Sequence, residues 1–164
     1  METTYILTAE LDDNSFAWLD GLRREHFPPK RNFLPAHLTL FHRLSLTQVA
    51  SLRFLEVPST PIPLHFDQVI FLGFGVAFRV QSADLERLRD AIQTTIGGEF
   101  SRQDRQPWKP HVTIHNKESA ETARALHRKL QIGFTQRAAT VTGLRVWEYL
   151  QGPWRLAQRI AFAS

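Results

Sequence analysis

Asn32-Phe33-Leu34-Pro35-Ala36-His37-Leu38-Thr39-Leu40 and Gln106-Pro107-Trp108-Lys109-Pro110-His111-Val112-Thr113-Ile114 are two versions of one phrase. Each runs from a proline-bearing basic loop through an aromatic residue into His-apolar-Thr-apolar. In a strand, side chains two apart share a face. The apolar members Leu38, Leu40, Val112 and Ile114 therefore take the core face, and their burial fixes the register. His37 with Thr39, and His111 with Thr113, take the other. A helix pattern precedes each copy, which predicts two similar lobes, each lending one strand to a shared cleft.

The rest of the chain is consistent with that plan. Tyr5 to Leu11 alternates as a half-buried strand. Asp12 or Asp13 then caps a helix carrying Phe16, Leu19 and Leu22 at helical spacing. His26 to Pro35 reads as a loop, Ala36 to Phe41 as a short strand, and Leu46, Val49 and Ala50 as a short helix. Phe66 to Leu72 and Val76 to Val80 flank Gly73-Phe74-Gly75 as a hairpin. Leu85, Leu88, Ile92 and Ile96 mark an amphipathic helix that Gly97-Gly98 ends. Ser101 to Pro110 is a second polar loop before the strand His111 to His115. A helix follows on Ala120, Ala123, Leu126 and Leu130. Three strands close the chain: Thr135 to Thr142, Leu144 to Leu150 and Trp154 to Phe162, the last two joined by Gln151-Gly152-Pro153.

Composition narrows the function classes. The chain has 164 residues, 43% of them hydrophobic and 22% charged, which suits one domain over residues 1–164 with a real core. It has no cysteine, so disulfides and thiolate metal sites are excluded. No basic segment followed by a long apolar run opens the sequence. A cytoplasmic location without a membrane partner is the expectation. The net charge of +4 is mild for a nucleic-acid binder. Its position along the chain matters more than its size.

Two imidazoles and two hydroxyls facing one cavity suit phosphoryl chemistry. One histidine can take a proton from the attacking oxygen while the other gives one to the leaving oxygen, both near neutral pH. Thr39 and Thr113 can donate to non-bridging phosphate oxygens. No carboxylate cluster sits beside either motif, so neither a metal nor a cofactor is expected. Phe41 and His115, two residues beyond the motif threonines, either extend the cleft-facing rows, with Phe41 offering a ring for a base, or simply pack at the strand end. Lys109 and Arg31, in the loops before the motifs, either line the cleft rim or are solvated loop charges, with Lys109 the nearer to its motif histidine. His42, at an odd offset from His37, is expected to point away. His26, His65 and His127 lack motif context and read as structural or surface residues. Trp108, Trp147, Tyr149 and Trp154 read as core or rim packing.

The pair His37-Leu38-Thr39-Leu40 and His111-Val112-Thr113-Ile114, with Pro110 before the second, resembles the 2H phosphoesterase superfamily. That group includes the bacterial 2′-5′ RNA ligases and RNA 2′,3′-cyclic phosphodiesterases. The resemblance implies an α+β, bilobal fold: two pseudo-symmetric lobes of antiparallel strands with flanking helices around a central cleft. It implies an active site of His37, Thr39, His111 and Thr113, with His111 as base and His37 as acid. The implied activity is metal-independent hydrolysis of cyclic or 2′-linked nucleotide or RNA phosphodiesters. The implied partner is a nucleotide or RNA end bearing such a phosphate; no protein partner is indicated. Members acting on RNA often carry an aromatic five residues after the first motif histidine and an Arg five after the second. Here those places hold His42 and Asn116. Two other readings stay open: a non-catalytic RNA- or nucleotide-binding module on the same fold, and a metal site using His37, His111, His42 and His115.

Overall fold

The computed structural model describes residues 2–163. Its first half builds a strand–helix–strand unit: β1 (Tyr5–Leu11), α1 (Asp13–His26) and β2 (Leu38–Leu44). The Asp12 carboxylate caps α1 by accepting from the Ser15 backbone N–H at 2.9 Å, and also accepts from Thr140 N–H at 2.9 Å. A 3₁₀ turn, Pro29–Arg31, interrupts the loop before β2. Helix α2 (Leu46–Ser51) and a further 3₁₀ turn lead to β3 (Ile62–Phe71). The same unit then recurs as β4 (Val76–Gln81), α3 (Ala83–Ile96) and β5 (His111–His115), with the one-turn helix α4 (Arg102–Arg105) inside the second loop. Helix α5 (Ala120–Gln131) and strands β6 (Arg137–Tyr149) and β7 (Trp154–Ala161) complete the chain.

All seven strands form one antiparallel sheet in the order β2-β1-β6-β3-β4-β5, with β7 also paired to β6. The long strand β6 joins the lobes. Its first part pairs with β3, its later part with β7, and β1 lies along its other side. The two terminal segments of the sheet are β2 and β5, which carry the motifs. The sheet curls so that these two approach each other, with Cα atoms within 8 Å.

The sequence reading divides β6 into two strands at Thr142-Gly143. The structure corrects this. Gly143 stays in register with Ala161, and a Cβ there would meet the Ile160 carbonyl oxygen at 2.6 Å. The glycine marks a close backbone approach inside a continuous strand, not a turn.

The core lies between the sheet and the helices. Leu7, Leu19, Leu38, Leu40, Phe66, Leu85, Ile92, Val112 and Ile114 are wholly buried in it, as the motif alternation predicts for its four members. Two arginines accompany them. Arg23 on α1 and Arg89 on α3 are 4% and 6% exposed, and each sits four residues after a core leucine, Leu19 or Leu85. Arg23 donates to the Thr113 carbonyl of β5 at 3.0 Å, and Arg89 to the Leu40 carbonyl of β2 at 2.8 Å. Helices and motif strands are thus cross-linked. No helix among the described residues is long and apolar enough to cross a membrane.

Candidate active site

Both motif strands break their alternation at the same place. On β2, Leu7 and Thr8 of β1 face Phe41 and Thr39, so Leu40 is an extra residue. On β5, Val76 and Ala77 of β4 face His115 and Thr113, so Ile114 is extra. Each is a β-bulge, which reverses the faces of the residues immediately after it. Phe41 and His115 therefore turn into the core, at 0% and 2% exposure. Of the two readings, packing at the strand end holds and lining of the cleft is corrected. Phe41 lies 5.4 Å from the Phe100 ring and under the Arg89 guanidinium. Gly75 leaves room for the second bulge, since a Cβ there would strike the His115 carbonyl oxygen.

The first bulge also reverses His42. It lines the cavity with His37 and Thr39, contrary to the odd-offset argument. That cavity, about 990 Å³, also receives His111, Thr113, Lys109, Trp108 and Trp154. The four motif side chains and Lys109 thus meet as expected. Arg31 does not: it ends the exposed 3₁₀ turn Pro29–Arg31, outside the cavity lining.

The two histidines are anchored alike. His37 Nδ1 lies 2.9 Å from the Pro35 carbonyl oxygen, and His111 Nδ1 lies 2.8 Å from that of Lys109. A carbonyl only accepts, so each Nδ1 carries the hydrogen and each Nε2 keeps its lone pair. The carbonyl two residues back is thus what each motif's proline-bearing loop supplies. Desolvation pushes the His37 pKa down to about 4, against the Pro35 hydrogen bond, with Arg23, His42 and His111 lowering it further. The Trp154 ring covers His37 with centroids 4.7 Å apart.

Thr39 and Thr113 are half-buried on the cavity wall. Neither hydroxyl has a partner within the chain among the described residues, which leaves both for a ligand. Their backbone carbonyls, beside the bulges, are held from across the cleft. Trp108 Nε1 donates to Thr39 O at 3.2 Å, as Arg23 does to Thr113 O.

Arg89 and Asp104 escape the sequence reading, and Trp154, read there as core or rim packing, lies against His37 on the cavity lining. Arg89 donates to both Leu40 O and Asp104 O, at 2.8 and 3.1 Å; a charged residue on an otherwise apolar helix stripe is the available signal. Trp154 opens the strand after a Gly-Pro turn, a place where a ring is easily presented. The Asp104 carboxylate is fully buried and accepts from the backbone N–H groups of His42 and Arg43 and from His42 Nδ1, at 2.9–3.0 Å. Nothing in the sequence pairs Asp104 with β2. No group of three or more His, Asp or Glu at metal-binding spacing occurs among the described residues.

Residues 11–153 match the family model described as the 2′-5′ RNA ligase superfamily. The structure is similar to that of Escherichia coli LigT complexed with 3′-AMP, with a TM-score of 0.62 at 17% identity over 100% of both chains. It is similar to E. coli LigT complexed with phosphate, at 0.59 and 17% over 100% of both. A Thermus thermophilus protein gives 0.65 at 14% identity over 97% of each chain. At these identities the likeness is one of fold. A search of curated protein sequences gives no match.

Proposed function

The chain belongs to the 2′-5′ RNA ligase superfamily, and from that premise we propose that it is a metal-independent phosphoesterase acting on cyclic or 2′-linked nucleotide or RNA phosphodiesters. The observation that carries the reading is the matched pair of imidazoles. Each is tied through Nδ1 to its own loop, and both stand in one cavity that also holds Thr39 and Thr113.

For a 2′,3′-cyclic phosphate the step is in-line attack of water on phosphorus. One Nε2 takes the water proton as the new P–O bond forms. The other histidine, protonated, gives its proton to the sugar oxygen as the old P–O bond breaks. The product is a phosphomonoester, and the two histidines end with their protonation states exchanged. The hydroxyls of Thr39 and Thr113 donate to the non-bridging oxygens, where charge grows in the transition state. Lys109 adds a cation at the mouth.

The assignment of roles starts from the desolvation of His37 beside the Trp154 ring. Desolvation holds His37 neutral at physiological pH, the form a base requires. We assign His37 as base and His111 as acid in hydrolysis, opposite to the direction implied by the resemblance. The reverse reaction exchanges the roles. A cytoplasmic setting suits such a substrate.

The test is a substrate panel in excess chelator: 2′,3′-cyclic nucleotides, oligonucleotides with cyclic ends and ADP-ribose cyclic phosphate, with products identified by the position of the phosphate. Turnover of at least one cyclic substrate is expected. Binding without turnover indicates a nucleotide-binding module instead, and turnover only with added Mg²⁺ or Mn²⁺ contradicts the mechanism.

A further inference from the structure

The His42–Asp104 pair is not used by the two-histidine mechanism, yet it stands in the same cavity. Asp104 is a buried carboxylate, and burial of a charge is costly unless it is fully paired. Backbone N–H groups of His42 and Arg43 already supply two partners, which suffice to pin the second loop to β2. The bond to His42 Nδ1 does something more. It fixes the imidazole plane and places the hydrogen on Nδ1, so Nε2 is the free nitrogen. With 40% of its side chain exposed, His42 presents that edge to the cavity.

The surroundings of His42 are cationic. Arg43 and Arg102 line the same cavity, are exposed, and have no ion-pair partner among the described residues. Asp104 is occupied by its own hydrogen bonds, and the other carboxylate on the lining, Glu2, is exposed near the chain start. Two uncommitted guanidiniums on the same lining as an oriented imidazole are a donor set that a phosphate recruits, since arginine binds it bidentately and the imidazole, by taking up a proton at Nε2 as the anion binds, adds a third donor. An aromatic ring at this position would offer stacking instead.

We propose that His42, oriented by Asp104 and sharing its cavity wall with Arg43 and Arg102, forms a second phosphate subsite, so that the preferred ligand carries another phosphoryl group besides the one at His37 and His111. A nucleoside whose 3′ end enters the catalytic pair and whose 5′ end bears a mono- or diphosphate fits this description. The proposal rests on the phosphoesterase reading of the cleft and determines specificity within it.

The test is binding, measured by titration calorimetry with adenosine 3′-phosphate carrying no, one or two 5′-phosphoryl groups. Wild-type protein should bind the better 5′-phosphorylated ligand at least tenfold more tightly than adenosine 3′-phosphate. His42→Phe and His42→Asn should bring that ratio to within about threefold of one. Asn can still donate to Asp104 but extends nothing into the cavity, and thermal melting establishes that each variant is folded. Arg128→Ala, on the exposed face of α5, controls for general charge and should leave the ratio intact. Equal wild-type affinities, or a ratio that survives both His42 variants, overturn the subsite alone. If none of the three nucleotides binds, the phosphoesterase reading falls with it.

Discussion

His37 and His111 hold their side chains by the same bond, each Nδ1 within 2.9 Å of the carbonyl oxygen two residues earlier. The repeat in sequence has thus become a repeat in geometry. Their environments nevertheless differ: Trp154 covers His37, and desolvation lowers its pKa. Equivalent anchoring with unequal surroundings is one way for a fold to separate a base from an acid.

The pH profile follows. As the base, His37 must be neutral, and its pKa in the free protein lies near 4, not near 6.5. The acid limb of kcat/KM, which reports the free enzyme, should therefore fall as pH drops through about 4 and not through the range of a free imidazole. An acid limb centred between pH 6 and 7 would show that His37 is not the base.

Leaving-group dependence separates the roles. A 2′-deoxynucleoside 3′-(p-nitrophenyl phosphate) has no neighbouring hydroxyl, so water must attack, and p-nitrophenolate departs without a proton. His111→Ala should lose at least tenfold less activity on this ester than on a 2′,3′-cyclic nucleotide. His37→Ala should lose similar factors on both. The opposite pattern assigns the base to His111.

The lobes should come apart energetically at Arg89. Its guanidinium serves the Leu40 and Asp104 carbonyls and lies over the Phe41 and Trp108 rings. Arg89→Met leaves two buried acceptors without donors, each worth about 1–3 kcal/mol. Urea unfolding should show a loss of about 2–4 kcal/mol, with weakened catalysis in the folded fraction because β2 and the second loop lose a common tie. A loss under about 0.5 kcal/mol, the size of an ordinary surface substitution, would mean that water replaces Arg89 at no cost.

The candidate site is legible in the sequence because His37, Thr39, His111 and Thr113 all precede the bulges, where strict alternation still holds. Beyond the bulges the counting fails: Phe41, His115 and His42 each lie on the face opposite to the one that period two gives. A bulge adds one residue without altering composition, and Leu40 and Ile114 look like ordinary core positions on either reading. Arg31 fails for another reason. It is near a motif in sequence but ends an exposed 3₁₀ turn outside the cavity lining. Gly143 looks like a break in β6, and only the partner strand β7 reveals that it admits a close neighbour.

The most direct test of the account is kcat for His37→Ala and His111→Ala on a cyclic substrate that the wild type turns over. General acid–base roles are each worth roughly 10²–10⁴ in rate, so each variant should lose at least about 100-fold. The double variant should lose little more than the worse single, since the pair acts as a unit. Thr39→Val and Thr113→Val should each cost less. All should melt close to wild type, because the four side chains line a cavity and leave the core leucines undisturbed. A folded His37→Ala or His111→Ala protein with activity within twofold of wild type would contradict the two-histidine site.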